Sequence, residues 1–262
     1  MTGALYFARV SGGNDSIAML QCLREHRLKN VVVVNSDTGW ASEAWAERMP
    51  KVEAWVRSLG WEWVSLVSEG FEAMVMRQTE TGMFPTRQRK FCTKYLKIKP
   101  FLKWAAEADP EKRAVVCVGV RRAESEARAN APAFMPGYDN GRHVWHPIVE
   151  FDDASRDAMI LKTPFEVLPH RSKECFCINW NRDDLLMAEP DHIDRVRALE
   201  ARVGRPMFNP AGKMGAVGID EVMRWAASPR GKYRPPNYRP DMPLLEEIEE
   251  PGCDEMAAGC GL

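Results

Sequence analysis

Leu5-Tyr6-Phe7-Ala8-Arg9-Val10, then Ser11-Gly12-Gly13-Asn14-Asp15-Ser16, then an amphipathic run from Asp15 to His26: this stretch decides the fold. The first six residues read as a β-strand, and Ile17, Met19, Leu20 and Leu23 mark the apolar side of a helix. Two glycines between strand and helix let the backbone turn tightly and bring successive N–H groups toward an anion. The helix adds its unpaired N-terminal donors and the positive end of its dipole. Ser11 and Ser16 supply hydroxyls, while Asp15 either caps the helix or holds a metal beside phosphates. A plain glycine turn with Asp15 or Ser16 as N-cap would use the same residues. The strand before and helix after favour the phosphate site.

Working outward, Val31 to Val34 is an uninterrupted β-branched run, the mark of a parallel strand covered on both faces. Ser42 to Ser58 reads as a helix with Trp45, Met49, Val52 and Val56 at helical spacing. Trp61 to Val67 and Ala114 to Val120 are two further strands. Strands alternating with helices predict an α/β fold, a doubly wound parallel sheet, in which ligands bind beyond the carboxyl ends of the strands. The pattern weakens between Ser68 and Pro100, where Arg87, Arg89 and Lys90 form a basic cluster. Residues 131–141 read as a Pro/Gly-rich loop. Arg195 to Val203 and Ile219 to Ala227 read as helices, and a Pro-rich, charged tail follows from Pro229. In that tail Arg230, Lys232, Tyr233, Arg234, Tyr238 and Arg239 interleave cations with aromatics, which either grips a nucleic-acid backbone or is simply solvated. The division this implies is a nucleotide-binding domain over 1–165 and a helical, cysteine-bearing region over 166–262.

Composition bounds the rest. The chain has 262 residues, is 45% hydrophobic, and carries 36 basic against 37 acidic side chains, so it buries a full core and has no global attraction for nucleic acid. No apolar run reaches the ~18–20 residues needed to cross a bilayer. No basic segment followed by an apolar stretch opens the chain, so a cytoplasmic location is expected. Seven cysteines at scattered spacing argue against a disulfide framework. Cys22 and Cys117 fall on core positions. Cys92, Cys175, Cys177, Cys253 and Cys260 are left over, and four thiolates suit an iron–sulfur cluster or structural zinc.

The glycine loop is neither a Walker A loop nor GxGxxG. It resembles the SGGxDS loop of the PP-loop nucleotide-binding family, which includes ATP pyrophosphatases, thiolation enzymes and phosphoadenylyl-sulfate (PAPS) reductases. Asp37-Thr38-Gly39, with Glu43 after it, resembles the DTG segment of the PAPS reductase group. Arg89-Lys90-Phe91-Cys92-Thr93, running into Leu96-Lys97-Ile98-Lys99-Pro100, is similar to that group's Arg/Cys…Lys…Pro segment. Gly119-Val120-Arg121-Arg122-Ala123-Glu124-Ser125 followed by Arg128 resembles its G-x-R-x-x-E-S-x-x-R-A motif. His146-Pro147-Ile148 and Cys177-Ile178-Asn179 extend the likeness toward phage and bacterial members.

The resemblance implies a Rossmann-like PP-loop fold and an adenine nucleotide (ATP, APS or PAPS) held by residues 11–16, Asp37, Thr38, Gly39, Gly119, Arg121, Arg122, Glu124, Ser125 and Arg128. Guanidinium groups meet phosphate or sulfate oxygens bidentately, with Glu124 orienting one of them. A solvated, salt-bridged helix start at Arg121 to Arg128 is the competing reading. The activity implied is thiol-dependent reduction of an adenylyl sulfate to sulfite, with Cys260, Asp15 and Arg121 as catalytic residues and a thioredoxin-like reductant as partner. Cys260-Gly261-Leu262 resembles the Glu-Cys-Gly-Leu-His tail of PAPS reductases, but Gly259 replaces the glutamate and no histidine follows. Cys260 is therefore a nucleophile, a cluster ligand or a tail residue. A [4Fe–4S] cluster would draw on Cys92, Cys175, Cys177, Cys253 and Cys260. Here too the pattern departs, because Phe91 precedes Cys92 and the second pair is spaced C-x-C. Two other functions fit the same motifs. One is an ATP- and Mg²⁺-dependent sulfurtransferase acting on nucleic acid, and the other a nucleotide-binding partner without catalysis. A homo-oligomer is compatible with each.

Overall fold

Parallel strands covered on both faces must be apolar throughout, and that rule selects the centre of this sheet. Strand β1 (Tyr6–Val10) lies between β2 (Val31–Asp37) and β4 (Val115–Val118), with β3 (Glu62–Val67) outside β2. The structure, a computed structural model, describes residues 3–77, 84–86, 89–169, 177, 180–208, 218–230 and 232–233. Among these, helix α1 (Asn14–Glu25) follows β1, α2 (Glu43–Ser58) follows β2, and α3 (Phe71–Arg77) follows β3. A π-helical turn (Thr93–Ile98) then runs into α4 (Lys99–Ala108) ahead of β4. The predicted doubly wound parallel α/β sheet is what the chain forms. With β5 (Phe134–Asp139) and β6 (Arg142–Trp145), its strand order is β3-β2-β1-β4-β6-β5, all parallel except the last.

Residues 131–141, expected to be a loop, instead form strand β5 (Phe134–Asp139) antiparallel to β6 (Arg142–Trp145). Asn140 (φ 50°) and Gly141 (φ 96°) both take the left-handed conformation that closes a two-residue hairpin. Pro136 and Gly137 are tolerated because β5 is an edge strand whose register shifts between Met135 and Asp139. The hairpin is anchored by Arg142, which is fully buried. Its Nε donates to Asp109 Oδ2 at 2.8 Å and its Nη2 to the Ala105 carbonyl at 2.6 Å, tying β6 to the end of α4.

Alternation along β1 separates two cores. Ala8 and Val10 face α1, α2 and Ile160 of α5 (Asp153–Ile160), whereas Phe7 faces Phe101 and Ala105 of α4. A third cluster lies among Trp40, Phe71, Met74, Leu96 and the C-terminal helices α6 (Arg182–Leu186), α7 (Pro190–Val203) and α8 (Gly218–Ala227). The helices predicted at 195–203 and 219–227 are present, the first starting earlier at Pro190, a residue preorganised for a first helical turn. Among the described residues no helix is long and apolar enough to cross a membrane.

Candidate functional site

The strand order reverses between β1 and β4, and in open α/β sheets the crevice at that reversal, outside the carboxyl ends, receives ligands. Three of the predicted segments leave the sheet on this rim: residues 11–13 after β1, Asp37-Thr38-Gly39 at the end of β2, and Gly119-Val120-Arg121 after β4.

The first loop turns at Gly12, whose φ of +79° suits glycine. A Cβ there would also stand 2.6 Å from Met49 Sδ and 3.4 Å from the Trp45 ring. Helix α1 starts at Asn14 with Gly13 as N-cap and no side-chain cap, and the Ile17 N–H donates to the Gly13 carbonyl at 3.0 Å. The N–H groups of Asn14, Asp15 and Ser16 thus belong to the open first turn. Ser16 Oγ donates to the Gly13 carbonyl at 2.9 Å. Asn14 turns away from the loop: Nδ2 donates to the Leu168 carbonyl and Oδ1 accepts from the Leu168 N–H, both at 2.9 Å. Its side chain splints the start of α1 to residue 168, while its backbone stays in the loop.

Asp15 does not cap the helix. It accepts from Arg121 Nε at 2.7 Å, across the crevice from the end of β4. Arg121 is only 3% exposed, and its other nitrogens reach Asp153 Oδ1 at 3.0 Å and the Phe151 carbonyl at 3.3 Å. Burial works against its charge, but Asp15 and Asp153 outweigh that and hold its pKa above the usual guanidinium value. Gly119 serves packing, since a Cβ there would lie 2.9 Å from the Asp15 carbonyl oxygen and 3.2 Å from its carbon. Only a glycine lets β4 come this close to the first turn of α1.

The remaining residues of that motif form two 3₁₀ turns (Arg122–Glu124 and Glu126–Arg128). Arg122 donates through Nε to the Ala131 carbonyl at 2.9 Å and pairs with Glu150. Arg128, buried, pairs with Glu124, and Ser125 sits half-buried between the turns. Burial of Arg121 and Arg128 departs from a solvated helix start.

At the end of β2, Gly39 (φ +63°) donates its N–H to Asp37 Oδ1 at 2.8 Å, and Thr38 accepts from the Phe71 N–H at 2.8 Å. Asp37, Gly39, Glu69 and Gly70 line a hollow of about 380 Å³ beside this turn. Helix α7 braces it from outside. Arg195 donates to the Gly39 and Ala41 carbonyls at 2.9 Å each and lies 4.4 Å above the Trp40 ring. His192 Nε2 lies 3.0 Å from the Trp40 carbonyl, and burial lowers its pKa.

Of the cysteines, Cys22 and Cys117 are buried in the core; burial pushes Cys22 up to about 11 and Cys117 higher still, so neither is a ready thiolate. Cys92 and Cys177 are half-buried against the same apolar cluster. Among the described residues no three His, Cys, Asp or Glu side chains are placed to hold a metal ion. Cys175, Cys253 and Cys260 lie outside the described residues, as do Arg87 and most of the tail; within the tail's described part, Tyr233 donates to Glu221 of α8.

Sequence reasoning missed Trp45, Arg48 and Asp153. Trp45 Nε1 donates to the Ser11 carbonyl at 2.8 Å, and Arg48 Nε to the Gly12 carbonyl at 2.9 Å. Nothing local signals these contacts, which link positions more than thirty residues apart.

A family model described as "Phosphoadenosine phosphosulfate reductase domain" matches residues 6–175. No curated protein matches the chain. Among solved structures, the chain is similar to a PAPS reductase from Candida auris in a phosphate complex. Identity is 15%, TM-score 0.45, and the match covers 62% of this chain and 73% of that one. It is also similar to an NH3-dependent NAD synthetase from Campylobacter jejuni subsp. jejuni NCTC 11168 in complex with nitrate (13%, TM-score 0.42, 78% and 85% covered). An NMN synthetase from Francisella tularensis matches at 10% identity and TM-score 0.48, with 80% and 91% covered.

Proposed function

Because the chain belongs to the phosphoadenosine phosphosulfate reductase domain family, we propose that it binds an adenylyl sulfate in the β1/β4 crevice and reduces it to sulfite. The observation that carries this reading is the meeting, at one rim, of the open first turn of α1 with Arg121, a buried cation poised on Asp15. Backbone N–H groups and a guanidinium gathered at one rim suit a phosphosulfate anhydride. Asp37, at the end of β2 beside the hollow, would accept from ribose hydroxyls, the role an acid at this position has in dinucleotide folds.

The chemistry balances with thiols alone. A cysteine thiolate attacks the sulfur of the adenylyl sulfate, the S–O bond to the nucleotide phosphate breaks, and the nucleoside phosphate leaves with the electron pair. The cysteine now carries a thiosulfonate. One thiol of a thioredoxin-type dithiol attacks the cysteine sulfur and expels sulfite, leaving a mixed disulfide; its second thiol resolves this, restoring the cysteine thiol and leaving the reductant oxidised to a disulfide. Arg121 offsets charge building on the leaving phosphate, and Asp15 sets the angle of that guanidinium. Cys260 is the proposed nucleophile. An iron–sulfur centre belongs to the same proposal: Cys92 and Cys177, which border one apolar cluster, would hold it together with Cys175 or Cys253. The division at 165/166 belongs to the same proposal; the third core gathers the C-terminal helices and packs them on Trp40, Phe71, Met74, Val75, Phe84 and Leu96 of the first region.

The test is product analysis with adenylyl sulfate, its 3′-phosphorylated form and ATP. Sulfite release from either sulfonucleotide, lost in Cys260→Ser while nucleotide binding persists, is the expected result. Pyrophosphate release from ATP without sulfite from any sulfonucleotide contradicts it and favours sulfur transfer.

A further inference from the structure

Glycine loops bind anions only when their amides face the ligand, and Gly12, free to rotate, does not enforce that by itself. In this chain the orientation is imposed from α2. Trp45, 3% exposed, donates Nε1–H to the Ser11 carbonyl, and Arg48, one turn on, donates Nε–H to the Gly12 carbonyl. In a trans peptide the C=O and N–H point in opposite directions. Pinning both carbonyls on α2 therefore turns the N–H groups of Gly12 and Gly13 away from α2. Were either peptide reversed, a carbonyl oxygen would replace an amide in the loop and repel an anion.

The clamp is itself held in place. Ser42 caps α2, its Oγ accepting from the Trp45 N–H at 3.3 Å, so the residue that starts the helix also fixes the Trp45 backbone. Arg48 lies 5.1 Å above the Phe165 ring and 5.7 Å from the Trp45 ring. Its Nη2 is buried and makes no hydrogen bond among the described residues. A surface arginine would not keep a buried, unsatisfied N–H; this one is retained where its Nε meets the loop. Met49 completes the wall, filling the space a Cβ on Gly12 would take.

We propose that Trp45 and Arg48 are positioning residues that hold the phosphate loop in its anion-accepting orientation, so that affinity for the charged part of the nucleotide is set from α2 through two loop carbonyls. This rests on the reading of residues 11–16 as the phosphate site. Trp45→Phe keeps the ring and deletes the donor; Arg48→Met keeps the length and deletes donor and charge. The probes are ATP and adenosine, titrated by calorimetry into the full chain and each variant. ATP affinity is expected to fall about threefold to tenfold in each variant, the loss of one net hydrogen bond, with adenosine affinity unchanged. Arg48→Lys, which can still donate to the Gly12 carbonyl, is expected to recover part of the loss. Unchanged ATP affinity in both Trp45→Phe and Arg48→Met overturns the clamp while leaving the phosphate site standing. Equal losses for ATP and adenosine also overturn it, by assigning these residues to the fold. A wild-type chain that binds ATP no better than adenosine overturns the phosphate-site reading, and the clamp with it.

Discussion

Gly119→Ala isolates the close approach on which the crevice depends. Gly119 is not among the positive-φ residues, so alanine meets no backbone strain there and the whole effect comes from space. The new Cβ would lie 2.9 Å from the Asp15 carbonyl oxygen and 3.2 Å from its carbon, where ordinary contacts begin near 3.4 Å. Both atoms are backbone, so no side chain can rotate away. The first turn of α1 must retreat by about 0.5 Å from β4, at a cost of about 1–3 kcal/mol by the usual scale of overpacking. That retreat carries Asp15 and the open N–H groups with it and stretches the 2.7 Å contact to Arg121. One or two weakened hydrogen bonds correspond to about a tenfold loss of ATP affinity. Urea unfolding and calorimetric titration measure the two effects. Gly60→Ala is the control: its φ of +77° brings backbone strain, no atom lies within 4 Å, and it sits in the turn before β3. It is expected to lose about 1 kcal/mol of stability and no affinity. If Gly119→Ala matches the wild type in both measurements, or loses stability with nucleotide affinity intact, the argument that this contact shapes the site is wrong.

Arg121→Lys is expected to weaken binding of adenylyl sulfate nearly as much as Arg121→Met, because one ammonium cannot reach Asp15, Asp153 and a ligand as the forked guanidinium does; recovery by lysine would reduce the role to bare charge. Asp109→Asn is expected to cost about 3–5 kcal/mol in urea unfolding, since it leaves the fully buried Arg142 without its carboxylate. Burial pushes Asp109 up, but the Arg113 and Ala114 N–H groups and Arg142 together hold it below 3.8. A depressed folded pKa stabilises above 3.8, and that contribution is lost as pH falls through the folded value, so the variant's unfolding should be less steep on pH in this acid range. His192 has the opposite protonation preference to a paired histidine: kept neutral by burial, it favours the unfolded chain as pH falls below 6.5, and His192→Gln is expected to flatten that part of the stability profile.

The βαβ order was legible because its signals are local: a valine run, helical spacing after Ser42, and a glycine loop between strand and helix. The β5–β6 hairpin was missed: Asn140-Gly141 carries a hairpin-turn signal, but Pro136-Gly137 four residues earlier look like loop chemistry unless the strand is known to be an edge. Helices α4 and α5 escaped because their apolar stripes are short and lie in segments rich in charge. In the site, motif residues were visible and their jobs were not. Asn14, expected at the nucleotide, bonds Leu168 through its side chain; Gly119, expected there too, also admits the close approach of β4 to α1; Asp15 faces Arg121 across 106 positions of sequence. Trp45 read as an ordinary core residue of α2, and its hydrogen bond to Ser11 exists only once α2 has packed beside the loop.

The central claim is that residues 11–16 and Arg121 form the site of a nucleotide's charged groups. Titration of adenylyl sulfate into the wild-type chain and into Gly13→Asp, which places a carboxylate where the anion is proposed to sit, tests it most directly. Saturable binding by the wild type and its loss in the variant, with the unfolding transition of both retained, is the predicted result; equal affinity in the two proteins would contradict it.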